Sequence, residues 1–258
     1  MALHAIRRGD PQGAPPLILL HGFGGCAEAW LGIMDRLPAD LPVIAYDLPG
    51  HGGSMASDGV GHAGAMARAI LRDLRAQGIQ RMHLAGHSMG GAVAALMALK
   101  AADQVASLTL LAPGGLGSDI NHRALRRYGT ATSIAQLRQA LEPMIGFNAV
   151  IPEQALLRLW EARCVPGAAE ALLDILQHIT NATGEAVFQG VLPLDALRGL
   201  TMPLSLLWGT QDMILPVAQA QALEGRADIH ILEGVGHMLI EETPDAVVAA
   251  LIRQLSRP

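Results

Sequence analysis

Residues Gly86-His87-Ser88-Met89-Gly90-Gly91 constrain this chain more than any others. They follow the apolar run Met82 to Ala85 and open an Ala-rich stretch with helical spacing, Met89 to Ala101, so a buried strand must turn into a helix within one residue. Glycines two residues either side of the serine let strand and helix approach closely. The sharp turn forces Ser88 into a strained conformation, lifts its hydroxyl clear of the sheet, and points a helix N-terminus at the place where negative charge would develop. Ser88 is therefore the candidate nucleophile; the plainer reading makes it only a helix cap.

A serine hydroxyl needs a base, and the base needs a group to fix its tautomer and stabilise its cation. Gly236-His237-Met238 supplies an imidazole in the loop after the strand-like run Asp228 to Leu232. Trp208-Gly209-Thr210-Gln211-Asp212 supplies a carboxylate in the loop after the run Leu204 to Trp208. Asp119, one strand earlier, is the rival acid. Of the ten histidines, His21, His51 and His87 lie in loops and turns and read as structural. His83 and His87 are four apart but lack the Glu of a zinc-binding H-E-x-x-H helix, so no metal is expected. His21-Gly22-Phe23-Gly24-Gly25 follows the run Pro16 to Leu20 and offers backbone to an oxyanion hole, with the Phe23 and Met89 amides as its donors.

Apolar runs at Pro16 to Leu20, Val43 to Tyr46, Met82 to Ala85 and Leu108 to Ala112 alternate with helical stretches such as Ala63 to Gln77, the pattern of an α/β fold with a mostly parallel sheet and helices on both faces. Residues 118–197 break that pattern, with helical stretches at Ile134 to Leu141 and Glu153 to Arg163 and no strand signal, and are expected to form an inserted helical lid. The core domain is then 1–117 and 198–258, closed by a helix that begins at Pro244 with Thr243 as its cap. In the lid, Met144, Phe147 and Trp160 offer apolar bulk for substrate binding, and Arg126, Arg127 and Arg163 offer charge.

The 258 residues are 51% hydrophobic and 16% charged, below the ~25% charged of an average soluble domain, so a large buried interior is available. A net charge of −5 without a Lys/Arg stripe argues against nucleic acid. No apolar stretch reaches membrane-span length and no secretory signal precedes the core, so no membrane association is expected and the location is expected to be cytoplasmic. Cys26 and Cys164 read as reduced thiols.

Taken in order, H-G-F-G-G (21–25), D-L-P-G-H-G (47–52), G-H-S-M-G-G (86–91), W-G-T-Q-D (208–212) and G-H-M (236–238) resemble the α/β-hydrolase superfamily over nearly the whole chain. The resemblance implies the α/β-hydrolase fold, a Ser88-Asp212-His237 triad, no cofactor, and a small-molecule acyl substrate such as an ester or thioester, in a monomer or small homo-oligomer. A narrower likeness, in Val105 to Leu116 and onward, is to the hydrolase domain of acetoin-dehydrogenase-type dihydrolipoyl acyltransferase subunits, although the H-x-x-x-D-G signature of dihydrolipoyl acetyltransferases is missing. Acyl transfer to an alcohol or thiol is thus a second reading. Carbon–carbon bond hydrolysis is a third, weakened because Met238 stands where many such enzymes carry Trp. A ligand receptor on the same fold is the non-enzyme alternative.

Overall fold

The short runs Leu17–Leu20 (β2) and Val43–Tyr46 (β3) are apolar at every position and buried at every position. Both faces of such strands must therefore be covered. A computed structural model describes residues 3–256, so residues 1–2 and 257–258 of the expected core lie outside it. With β1 (Ala5–Arg8), β4 (Met82–His87), β5 (Val105–Leu111), β8 (Leu204–Gly209) and β9 (Asp228–Leu232), these strands build a seven-stranded sheet in the order β1-β3-β2-β4-β5-β8-β9. All pairs are parallel except β1 with β3.

Two groups of helices cover the sheet. Ala63–Ala76 buries Met66, Ala67, Ile70, Leu71 and Leu74, one stripe at helical spacing, and ends before Gly78 in a left-handed conformation (φ 76°). It packs on Met89–Lys100, which is buried nearly all round and lies against β2, β4 and β5. On the other side of the chain's order, Pro244–Leu255 contacts β5 and β8 and the short helix Leu31–Met34. Thr243 stands at its N-cap position, but its side chain makes no capping bond, and Pro244 at the first turn needs no donor partner.

Between β5 and β8 the chain forms helices His122–Gly129, Ile134–Leu141, Glu153–Arg163, Ala168–Ile179 and Leu194–Arg198. The expectation of a strand-free segment is corrected here: Thr180–Thr183 (β6) and Ala186–Gln189 (β7) pair as an antiparallel hairpin around Gly184, which has φ 62°. Its residues are mostly exposed, so no buried alternation announces it. β1 was equally silent, because its sequence Ala-Ile-Arg-Arg carries no apolar run; Arg8 is held instead by the carbonyls of Met34 and Pro38. None of the described helices is long and apolar enough to cross a membrane.

Candidate active site

Ser88 sits between β4 and the helix Met89–Lys100 with φ 53° and ψ −117°. A non-glycine residue there costs on the order of 1–3 kcal/mol and persists only when its surroundings over-determine it. They do: the Ser88 N–H donates to the Leu111 carbonyl at 2.9 Å, and the Ser88 carbonyl accepts from Gly91, Ala92 and Gly114. A Cβ at Gly86 would collide with the Gly90 carbonyl, and one at Gly90 with the carbonyls of Leu20 and His21. The glycine spacing is thus a steric requirement of this turn.

His237 and Asp212 meet the hydroxyl from the two loops that follow β9 and β8. His237 Nε2 lies 2.9 Å from Ser88 Oγ, and His237 Nδ1 lies 2.7 Å from Asp212 Oδ2. The carboxylate also accepts from the Trp208 indole at 3.0 Å and from the Ile214 and Leu215 amides at 2.8 and 2.9 Å. Four donors therefore converge on Asp212, and with a carboxylate at Nδ1 the imidazole proton belongs on that side, leaving Nε2 free to accept. Asp119 is exposed; its carboxylate meets only the neighbouring Ser118 hydroxyl, at 3.5 Å, and its main-chain oxygen accepts from Gln189 and Gln219.

The loop carrying His237 is itself fixed. Its N–H donates to the Met144 carbonyl at 2.8 Å, and Glu242 accepts from the amides of Gly236, Met238 and Gly146. Sequence reasoning passed over Glu242; a carboxylate five residues past the imidazole, inside a short helical turn, was the available signal.

Three further histidines hold the site by hydrogen-bonding main chain. His21 accepts the Leu48 amide at Nε2 (3.0 Å) and donates from Nδ1 to Gly22. His51 accepts the Gly24 amide at Nε2 (3.1 Å), and His87 donates from Nε2 to the His237 carbonyl (2.7 Å). Burial lowers their pKa values, to about 4 for His21 and about 3 for His51 and His87, so they are neutral clamps. The Asp47 carboxylate anchors the same region through Ala27, Gly53 and His4.

The Phe23 and Met89 residues border the same space as Ser88. Met89 opens its helix, where N–H groups have no preceding turn to bond. Beside Ser88 opens a cavity of about 290 Å³, bordered by both residues.

A family model described as the alpha/beta hydrolase family matches residues 17–250. The chain belongs to the alpha/beta hydrolase family. Among relatives, it is 32% identical to the dihydrolipoyllysine-residue acetyltransferase component of the acetoin cleaving system of Cupriavidus necator, over 94% of this chain but only 64% of that protein. It is 28% identical to monoacylglycerol lipase abhd6-B of Xenopus laevis, over 92% of this chain and 74% of that one. Among solved structures, a 2-hydroxy-6-oxo-6-phenylhexa-2,4-dienoate hydrolase from Rhodococcus sp. strain RHA1 superposes with a TM-score of 0.82, at 24% identity, covering 99% of this chain and 95% of that one. That likeness is one of fold.

In this alpha/beta hydrolase the cavity wall is mostly apolar, with Leu96, Ile120, Leu125, Ile179, Leu192 and Ile214 among its residues. Gln189 of β7 enters it from the hairpin, its Oε1 accepting from Gly115 at 3.0 Å. The bulky residues expected to bind substrate are placed elsewhere. Phe147 is 74% exposed, because its own N–H is pinned to Gln211 in a turn that directs the ring to solvent. Trp160 is half-buried on Glu153–Arg163, the helix that packs on the Ala27–Trp30 turn, and lines no part of the cavity. Met144 is buried and borders a smaller chamber that also touches Ser88 and His237, while its carbonyl accepts from the His237 N–H. Arg126 and Arg127 are exposed, and Arg163 stacks on Tyr128 with its guanidinium carbon 4.0 Å from the ring centroid.

Proposed function

We propose that this chain is a serine hydrolase that cleaves a small or medium carboxylic ester or thioester through an acyl-enzyme on Ser88. The line of hydrogen bonds from Ser88 Oγ through His237 to Asp212 carries this reading. His237 Nε2 takes the hydroxyl proton as Oγ attacks the substrate carbonyl, and the amides of Phe23 and Met89 receive the oxyanion. The imidazolium, stabilised by Asp212, returns the proton to the departing alcohol or thiol. Water then gives a proton to Nε2 and its oxygen bonds to the acyl carbon; the Oγ–carbon bond breaks, and Oγ recovers the proton.

Substrate size follows from space. At about 290 Å³ the cavity stands at the lower end of the ~300–1,000 Å³ typical of ligand pockets, and its apolar lining suits an acyl chain. Residues 118–197 act as the lid that sets this limit. Two unbridged cysteines, Cys26 and Cys164, suit a reducing, cytoplasmic setting.

The 32% identity to an acetoin-system acetyltransferase component favours a second reading, in which a thiol replaces water as acceptor. One experiment tests the first and separates the second: Ser88→Ala should lower turnover of p-nitrophenyl butyrate by about a million-fold, and product analysis with a competing thiol reports the acceptor. Retention of most activity in Ser88→Ala would overturn the assignment.

A further inference from the structure

Glu241 has no part in the chemistry above, yet its placement demands an explanation. It lies one residue before Glu242, and its Oε2 is buried without a hydrogen-bond partner in the protein. Such an atom costs about 1–3 kcal/mol unless something polar meets it. The side chain borders two spaces at once. One is a chamber of about 30 Å³ whose walls include Ser88, His237, Gly22 and Phe23. The other is a cleft of about 170 Å³ between Glu153–Arg163 and the segment 26–36, reaching the surface at Arg36, Pro152 and Gln154. Ala29, Leu159, Ile240 and Glu241 are the wall that the two have in common.

A site of ~10–15 Å³ holds one water, so the chamber has room for water. The apolar cavity borders Ser88 but not His237, and an acyl chain would fill it and thereby close it to water. Deacylation needs water at His237 Nε2 all the same, and the chamber borders both that imidazole and Ser88. Burial, reinforced by the charge of Glu242 and opposed by Arg158, raises the Glu241 carboxyl to about 8, so near neutral pH it can donate as well as accept.

We propose that the cleft is a water inlet to the chamber beside Ser88 and His237, and that Glu241 is a positioning residue that holds the hydrolytic water between cleft and chamber. This rests on the acyl-enzyme reading of Ser88. In the step served, water loses a proton to His237 Nε2 while its oxygen bonds to the acyl carbon, and Ser88 Oγ leaves and takes that proton.

The test forms acetyl-enzyme from p-nitrophenyl acetate, then follows its decay by quench-flow and intact mass, in wild type, Glu241→Leu, Glu241→Gln and Ala155→Trp. Ala155 lines the cleft but not the chamber, so the indole obstructs the inlet far from the reacting atoms. The inlet predicts decay slowed about tenfold, the worth of one hydrogen bond, in Glu241→Leu and in Ala155→Trp. The acylation burst should stay at the wild-type rate, and Glu241→Gln should recover most of the decay rate. Decay at the wild-type rate in Ala155→Trp, or burst and decay falling together in Glu241→Leu without recovery in Glu241→Gln, would overturn it. If wild type forms no adduct on Ser88, the reading of Ser88 fails and the inlet with it; a normal adduct with unchanged decay in the variants removes the inlet alone.

Discussion

His87 is hydrogen-bonded to the main-chain oxygen of His237, not to its ring: Nε2 lies 2.7 Å from that oxygen while the two ring centroids stand 5.0 Å apart. The neighbour of the proposed nucleophile in sequence thus fixes the loop that carries the proposed base. Since burial holds His87 neutral, its pKa lowered to about 3, it cannot replace His237 as a base near neutral pH. Replacing it by Phe keeps the bulk and removes the donor. We expect kcat to fall about 10- to 100-fold, the scale of a catalytic group misplaced by an ångström, with Ser88 still labelled by a fluorophosphonate. Steady-state kinetics and labelling rates check this, and a loss as large as that of Ser88→Ala would make His87 a proton-transfer residue instead.

Asp212→Asn places an amide where four donors converge, so at least one N–H must face another. The imidazole then loses the acceptor that sets its tautomer, and kcat should drop about 10⁴-fold, as when the acid of a Ser-His-Asp triad is amidated. Asp119→Asn, on an exposed residue, should leave kcat within about twofold, since surface substitutions away from such features do little. Parallel kinetics of the two variants decide between the acids.

Much of this site was legible because its parts are steric or chemical necessities: the glycines around Ser88, the order Ser88, Asp212, His237, and strands such as β2 whose every residue is buried. The β6–β7 hairpin was not, since short, mostly exposed strands have no periodic signature. Nor were the cavity walls. Phe147 and Trp160 have the bulk a pocket needs, but bulk carries no direction, and the turn at Phe147 and the packing of Glu153–Arg163 aim them away. Glu242 was hidden for a different reason: its partners are backbone amides, which sequence does not display.

Acid stability follows from the clamps. His21, His51 and His87 have folded pKa values of about 4, 3 and 3, below their ordinary 6.5. Below pH 6.5 the unfolded chain binds these protons first, so their contribution is present above pH 6.5 and is lost as pH falls toward 4 to 3. Three protons give a slope of roughly 4 kcal/mol per pH unit at most. Glu241 works the other way: its raised pKa means the folded chain holds a proton between pH 4.5 and about 8, which favours folding as pH falls through that window. The net expectation is destabilisation below pH 6. Urea titrations between pH 7 and 5 should show it, and His51→Gln should make the slope shallower; a flat profile would contradict the neutral-clamp assignment.

Arg163 separates a substrate contact from a structural one. Its NH1 group donates to the Leu159 carbonyl at 2.8 Å and to the Gly24 carbonyl at 3.4 Å, and the Tyr128 hydroxyl donates to that same Gly24 oxygen at 3.3 Å. Gly24 has φ 68° and its amide donates to His51, so Gly24 is gripped from the core on one side and from helices of the 118–197 segment on the other. Loosening it should displace the Phe23 amide, whose proposed task is confined to the transition state. Arg163→Met is therefore expected to lower kcat about tenfold with KM little changed, because an interaction made only in the transition state shows in kcat, and equally for neutral and anionic esters. Kinetics on a matched pair of such esters measures this. A raised KM for the anionic ester alone would mean that the guanidinium leaves Tyr128 to bind substrate charge, and that the grip on Gly24 is incidental to catalysis.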